Sequence, residues 1–287
     1  MIQVNLRSLK EPLGLMRIGA TFFTCLTFSL AATTHVNASS PYWAWCMFTW
    51  CFCFIFTLAI VIMEFTTFST KVPFSWEDFT SAFAMLVSLM CLAASIIYPT
   101  FFTFNTYHRA ISATVFSWVC FIIYTAEVVY TRLLPRGEVS GFLSTIPGIM
   151  KMLEAFLACL IFTSLETNQY QRFSGLQWCV AVYSLCFIFA IVIILLSVTQ
   201  LIKHFPFNFD LVVIIYNVTS ALMYVTVMVI WPLYSFRNNP RPGGCERECP
   251  WDKLVFVTFM AIFNTIIYTL DSIYTVRLVF FNRVPSE

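Results

Sequence analysis

The chain has 287 residues, of which 60% are hydrophobic and only 10% are charged, with a formal net charge of +2. Soluble globular proteins are about 45–50% apolar and about 25% charged, so a soluble fold could not cover its surface with so few charges. The near-neutral balance, without any block of Lys and Arg, also argues against a nucleic-acid-binding groove. The composition therefore predicts a polytopic membrane protein.

Eight apolar stretches are long enough to cross the bilayer as α-helices, which requires about 20 residues for a hydrocarbon core of about 30 Å. In chain order they cover approximately residues 13–33, 43–64, 79–98, 110–131, 148–165, 176–201, 209–231 and 254–276. None of them alternates polar and apolar residues as a transmembrane β-strand does. The sequence therefore predicts an all-α integral membrane protein with eight transmembrane helices.

The second half of the chain repeats the first half. The repeated segments are Trp45-Cys46 with Trp178-Cys179, Cys53-Phe54-Ile55-Phe56 with Cys186-Phe187-Ile188-Phe189, and Ile122-Ile123-Tyr124-Thr125 with Ile266-Ile267-Tyr268-Thr269. The first two pairs share one spacing, and the third is shifted by extra residues in the loop before span eight.

This repeat predicts two tandem four-helix units. Four spans return the chain to the side on which it began, so the two units have the same orientation and form a parallel duplication. The inverted repeats of many transporters come instead from units with an odd number of spans. We assign the first unit to residues 1–134, the second to residues 145–282, and a cytoplasmic linker to residues 135–144.

The distribution of basic residues places both termini on the cytoplasmic side. Lys and Arg collect on the inner face of membrane proteins, and most of the 16 in this chain then lie inside. The last outer loop carries several Arg residues and opposes this bias. It also holds Cys245 and Cys249, for which we favour a disulfide over two free thiols because the exterior is oxidising. Asn37 opens a glycosylation sequon in the first outer loop, but that loop is so short that a plain turn is the favoured interpretation.

Charged residues inside the spans are the first candidates for function, because a charge in hydrocarbon is costly. Arg17 lies about one turn into the first span, and Glu127 lies about one turn before the end of the fourth. Lys151 and Asp271 hold the corresponding positions in the second unit. Opposite signs at similar depth predict that Arg17 pairs with Glu127 and that Lys151 pairs with Asp271.

These pairs have two interpretations, a proton or ion relay and a clamp between helices. A relay needs polar groups that reach the opposite face, and spans two, three, six and seven offer almost none at mid-membrane, which favours the clamp. Glu154 lies one turn from Lys151 and is a second candidate partner for it. Glu64, at the inner end of span two, is expected to reach the lipid head groups.

Motifs for catalysis and for cofactor or metal binding are not found. His, Cys and acidic residues do not cluster with metal-ligand spacing, and a chain with 8 Gly contains no phosphate-cradling loop. A nucleophile elbow is also missing. We therefore predict no catalytic residue, no metal and no cofactor.

A loose cholesterol-recognition pattern occurs twice, at equivalent positions of the two units. One copy holds Tyr130 and Arg132, and the other holds Tyr274 and Arg277. Matches of this kind arise by chance in a chain rich in aliphatic and aromatic residues, so the pattern is a weak indication of sterol contact.

The short-looped units, each with a basic residue near the start of its first helix and an acidic residue near the end of its fourth, resemble the MARVEL domain. Two such units in tandem resemble the myeloid-associated differentiation marker family, and the matching helix starts are Leu15-Met16-Arg17 and Ile149-Met150-Lys151. The resemblance implies a non-enzymatic organiser of sterol-rich patches, membrane apposition, trafficking or cortical attachment. It also implies lipid, including cholesterol, other membrane or cortical proteins and copies of itself as partners, in the plasma membrane and vesicles.

Two other classes of function compete with this interpretation: a small-solute or ion transporter or channel, and an intramembrane enzyme. A transporter is expected to have broken helices and polar groups near the midplane. Asn217 and Asn264 are the best midplane candidates. The prolines favour an organiser, because Pro99, Pro147, Pro206 and Pro232 fall at span ends and none of them interrupts a helix centre.

Overall fold

The computed structural model describes residues 11–34, 40–72, 76–103, 108–133, 145–165, 170–171, 173–199, 209–237, 239–244 and 249–281. These ranges contain eight long α-helices. In chain order they are α1 (Pro12–Ala32), α2 (Pro41–Phe65), α3 (Trp76–Phe102), α4 (His108–Leu133), α5 (Ile146–Ser164), α6 (Ser174–Val198), α7 (Phe209–Phe236) and α8 (Pro250–Phe281). A short 3-10 helix, Phe68–Lys71, follows α2. All eight α-helices are long and apolar enough to cross a membrane, so the chain is an all-α, multi-pass integral membrane protein.

The helices begin where the sequence provides suitable first-turn residues. Proline occupies the first turn of α1, α2 and α5, where its missing N–H costs nothing and its fixed φ suits the helix. The first turn of α3 carries Glu77 and Asp78, whose negative charges are favourable at the positive end of the helix dipole.

Several helices extend past the predicted apolar spans. The span predicted over residues 254–276 is part of α8, which runs from Pro250 to Phe281, because a helix can continue into the head-group region where polar side chains are tolerated. In the same way, α3 and α7 continue past Pro99 and Pro232 for about another turn, so each proline lies inside its helix near the end.

The chain divides into two compact units, Met1–Ser144 and Thr145–Glu287. In the first unit, α1 and α3 each pack against both α2 and α4, which closes the four helices into a ring. In the second unit, α5 and α7 each pack against both α6 and α8. The first and last helices of each unit are therefore neighbours, and side chains on them can meet.

Hydrogen bonds cross the interior of the first bundle. The hydroxyl groups of Thr57 and Tyr124 lie 2.7 Å apart and join α2 to α4. The indole of Trp50 donates to the hydroxyl of Ser117 at 3.1 Å, and Ser117 also bonds Ser95 of α3 at 2.8 Å. Helices in membranes associate through close packing and such bonds, because lipid provides no hydrophobic driving force between them.

The outer faces of the helices carry large apolar side chains. Examples that are highly exposed in the isolated chain are Leu15, Phe22, Ile55, Ile122, Leu222 and Ile273. In water such a surface would cause aggregation. In a bilayer it is the surface that contacts lipid.

The division into two units predicts that each folds without the other. We expect residues 1–144 and residues 145–287, expressed as separate chains, each to yield helical protein that elutes as a single species from size-exclusion chromatography in mild detergent. The control is a chain divided between α2 and α3. This cut separates helices that pack together within the first unit, so the two resulting fragments should aggregate. Equal aggregation after both divisions would contradict independent folding.

Candidate functional site

The first unit brings three charged side chains together at one end of its bundle. The Nε atom of Arg17 in α1 donates to Oε1 of Glu127 in α4 at 2.7 Å. The Nη1 atom of the same guanidinium donates to Oε1 of Glu64 in α2. Arg17 and Glu127 are 2% and 3% exposed, whereas the side chain of Glu64 is 21% exposed. One arginine therefore joins three helices.

The remaining helix of this bundle, α3, joins the same cluster through the indole of a tryptophan. Trp76, the first residue of α3, donates from Nε1 to Oε1 of Glu64 at 3.1 Å. Consecutive helices run in opposite directions, so the start of α1, the end of α2, the start of α3 and the end of α4 meet at one end. A planar guanidinium offers five donors in a fixed fork, which suits it to two carboxylates on different helices.

The second unit contains an equivalent cluster that is buried more deeply. The Nζ atom of Lys151 in α5 donates to Oε2 of Glu154 and to Oδ2 of Asp271 in α8, both at 2.6 Å. All three side chains are 0% exposed. Asn217 of α7 donates from Nδ2 to Oδ2 of Asp271 at 2.8 Å. The hydroxyl of Thr275 bonds the backbone carbonyl of Asp271 and lies 3.1 Å from Oδ1.

Two tyrosine rings enclose the ammonium group of Lys151. Its Nζ atom lies 5.1 Å from the ring centroid of Tyr216 and 5.2 Å from that of Tyr268, within the range of a cation–π interaction. The two phenol oxygens lie 2.9 Å apart, and Tyr216 donates to the carbonyl of Cys186 in α6 at 2.7 Å. The cluster is therefore connected to all four helices of its unit.

The structure brings together the residues that the sequence analysis paired, Arg17 with Glu127 and Lys151 with Asp271. Sequence reasoning missed the contact between Glu64 and Arg17, and also the bond from Asn217 to Asp271. The position of Glu64 near the end of α2 could have indicated this contact, because α2 runs antiparallel to α1 and therefore ends beside the start of α1. Which way each side chain faces was not readable from the sequence.

The other residues singled out in the sequence lie elsewhere. Tyr130 and Tyr274 are half-buried near the ends of α4 and α8, and Arg277 is exposed. The side chain of Arg132 and the residues Asn37 and Cys245 lie outside the described part of the chain.

Cys249 is buried and disulfide-bonded, while the described cysteines of the spans are free. Because Cys245 is not among the described residues, its pairing with Cys249 stays a prediction.

Comparison with known proteins identifies one family and several relatives of similar length. The family is MARVEL, a membrane-associating domain, which matches residues 8–130 and 142–274. The chain is 40% identical to the "Myeloid-associated differentiation marker" of Rattus norvegicus, over 96% of this chain and 92% of that protein. It is 39% identical to the Homo sapiens protein of the same name, over 98% of this chain and 92% of that protein. It is 37% identical to "Myeloid-associated differentiation marker-like protein 2" of Xenopus laevis, over 96% and 95%. No solved structure matches the chain.

The cluster in the first unit predicts energetic coupling between Arg17 and Glu127. We expect Arg17→Leu to be more harmful than Glu127→Leu, because the arginine substitution leaves two carboxylates without their cation and the glutamate substitution leaves Arg17 with Glu64. The double variant should lose less than the sum of the two single losses, with a coupling on the order of 1 kcal/mol. Reversible unfolding in mixtures of denaturing and mild detergent measures these free energies. Strict additivity would show that the contact contributes no coupling.

We predict a disulfide bond between Cys245 and Cys249. On intact cells, an impermeant thiol reagent should label these cysteines only after prior reduction, and the Cys245→Ser/Cys249→Ser variant should show no reduction-dependent signal. Strong labelling without reduction would rule out the bond. Labelling that requires permeabilised cells would reverse the assigned topology.

Proposed function

The chain belongs to the MARVEL family of membrane-associating proteins, and on that premise we propose that it is a non-enzymatic organiser of membrane domains. It acts on the bilayer rather than on a substrate. Its two bundles gather a preferred set of lipids, sterols among them, and thereby mark a patch of membrane for trafficking, apposition or attachment to the cell cortex.

The division between a polar interior and an apolar exterior carries this proposal. Within the described helices, the charged groups at membrane depth turn inward and are paired, as in the clusters around Arg17 and Lys151. The outward positions hold branched and aromatic side chains such as Leu222 and Phe22. A protein built in this way has lipid tails and other apolar helices as its natural contacts, because a polar ligand would find few exposed donors or acceptors along the spans.

The repeated Tyr and Arg residues support sterol as one of the lipids. Tyr130 and Tyr274 each follow the paired acid of their helix by three residues and are half-buried. Arg277 is exposed one turn beyond Tyr274. An aromatic ring beside a basic group near the membrane interface fits the flat ring system and the single hydroxyl of a sterol.

The proposed setting is the plasma membrane and its vesicles, with both termini cytoplasmic. The excess of Lys and Arg on that side supports this orientation. A disulfide at Cys249 supports it too, since an oxidising exterior preserves such bonds.

The contacts of Asn217 and Asn264 do not favour a transporter. Both side chains are fully buried, and their amide groups donate within the bundle, to Asp271 in one case and to the hydroxyl of Tyr224 at 2.8 Å in the other. Pro99 and Pro232 lie near the ends of their helices rather than at the centre. These features support packing between helices instead of a path across them.

Sterol organisation predicts selective partitioning in vesicles. We expect the purified protein, reconstituted in phase-separated giant vesicles containing cholesterol, to concentrate in the sterol-rich phase. A photoactivatable cholesterol analogue should label α4 and α8, and the Tyr130→Leu/Tyr274→Leu variant should reduce that labelling several-fold, because it removes the ring and hydroxyl at both positions. Labelled peptides are identified by mass spectrometry.

The matched control is Tyr234→Leu, which changes an exposed tyrosine of α7 that is not part of the repeated pattern. It should leave sterol labelling unchanged. Exclusion of the protein from the sterol-rich phase, or equal labelling of all three proteins, would contradict sterol organisation.

A further inference from the structure

The buried cluster of the second unit contains one more acidic group than basic group. Lys151 faces both Glu154 and Asp271, and all three side chains are 0% exposed. The first unit has the same imbalance around Arg17, but there the third member, Glu64, is 21% exposed at a helix end. The surplus negative charge of the first unit can therefore reach a polar environment, and that of the second unit cannot.

An uncompensated charge at this depth is unfavourable, and a buried acid normally avoids that cost by taking up a proton. The neighbouring helices offer no further cation among the described residues. The other titratable groups that interact electrostatically with Glu154 are Cys186 of α6, Tyr216 of α7 and Tyr268 of α8. Thiols and phenols are neutral when protonated, so none of them can balance the extra carboxylate.

The two carboxyl groups differ in the number of donors that they receive. Asp271 accepts from Lys151 and Asn217 on Oδ2, and the Thr275 hydroxyl, which also bonds the Asp271 backbone carbonyl, lies 3.1 Å from Oδ1. Glu154 accepts from Lys151 on Oε2, and no described residue donates to its buried Oε1 atom. Donated hydrogen bonds stabilise the ionised form of a carboxyl group. Of the two groups, Asp271 therefore has the surroundings that favour the carboxylate.

Two buried amide oxygens of the same unit, those of Asn217 and Asn264, also receive no hydrogen bond from the described residues. Asn264 is adjacent to Glu154, since its Nδ2 atom lies 3.5 Å from the Glu154 carbonyl oxygen. A protonated Glu154 would add a hydrogen-bond donor to this part of the bundle.

We propose that Glu154 binds one proton at neutral pH, so that the second unit folds around a neutral carboxylic acid, a lysine ammonium and an aspartate carboxylate. The proton comes from water when the bundle forms and bonds to Oε1, while Oε2 continues to accept from Lys151. The cluster then has no net charge. When Glu154 loses this proton, the proton returns to water and one unpaired negative charge remains inside the bundle.

This proton site makes the stability of the second unit depend on pH. A group that takes up a proton on folding stabilises the folded state less as the pH rises. The full-length protein should therefore lose several degrees of apparent melting temperature as the pH rises from mildly acidic, where an exposed carboxyl group ionises, through neutral, until Glu154 itself loses its proton. Glu154→Gln replaces the acid by a neutral group of the same shape that needs no proton, so this variant should be at least as stable as the wild type at neutral pH and should lose the decline.

Two matched variants separate this proton from general damage to the clusters. Asp271→Asn removes the ionised carboxylate and should lower the melting temperature at every pH. Glu127→Gln removes a carboxyl group of the first unit and should keep the decline that Glu154 causes. If Glu154→Gln lowers the melting temperature at neutral pH as much as Asp271→Asn does, Glu154 is ionised and the proposal is wrong.

Infrared spectroscopy detects the proton directly and does not depend on a stable variant. Wild-type protein at neutral pH should show the carbonyl stretch of a protonated carboxyl group, which shifts in heavy water and disappears in Glu154→Gln. Absence of this band from the wild-type protein would overturn the proposal. Persistence of the band in Glu154→Gln, or its loss in Asp271→Asn alone, would place the proton elsewhere and overturn it as well.

Discussion

The structure depends on one interaction, the buried contact between a cation on the first helix of each unit and an acid on the last. A charge in hydrocarbon is tolerated only with a partner close by. Arg17 and Lys151 find that partner in Glu127 and Asp271, which requires the first and last helices to be neighbours. The closed ring of four helices satisfies this requirement, and the short connections between the helices then follow the ring in order.

The two copies meet the same requirement with different chemistry. In the first unit a guanidinium bridges two acids on two helices, and an indole from the remaining helix joins them. In the second unit a compact ammonium is enclosed by Glu154, Asp271 and two tyrosine rings. Arginine's planar fork suits a site open at one side, whereas lysine's point charge suits a closed one. Duplication retained the sign and position of the charges while their surroundings diverged.

Concentrating the polar groups inside leaves the exterior for lipid. The helices therefore present an almost wholly apolar surface, and the features that vary along it are aromatic rings and the basic residues near the helix ends. A family of membrane-associating domains is consistent with this construction, because the outer faces of such helices are the surface that contacts lipid.

The sequence by itself determined the membrane class, the eight helices, the duplication and the pairing of Arg17 and Lys151 with acids. All of these follow from local composition and from spacing along the chain. The tertiary structure decided that Glu64 turns toward Arg17, that Asn217 reaches Asp271, and that Glu154 is buried without a donor to one oxygen. In a soluble bundle a polar face would have indicated the rotation of each helix. In a bilayer the inner and outer faces are both apolar, so only the packed helices fix which side chains meet.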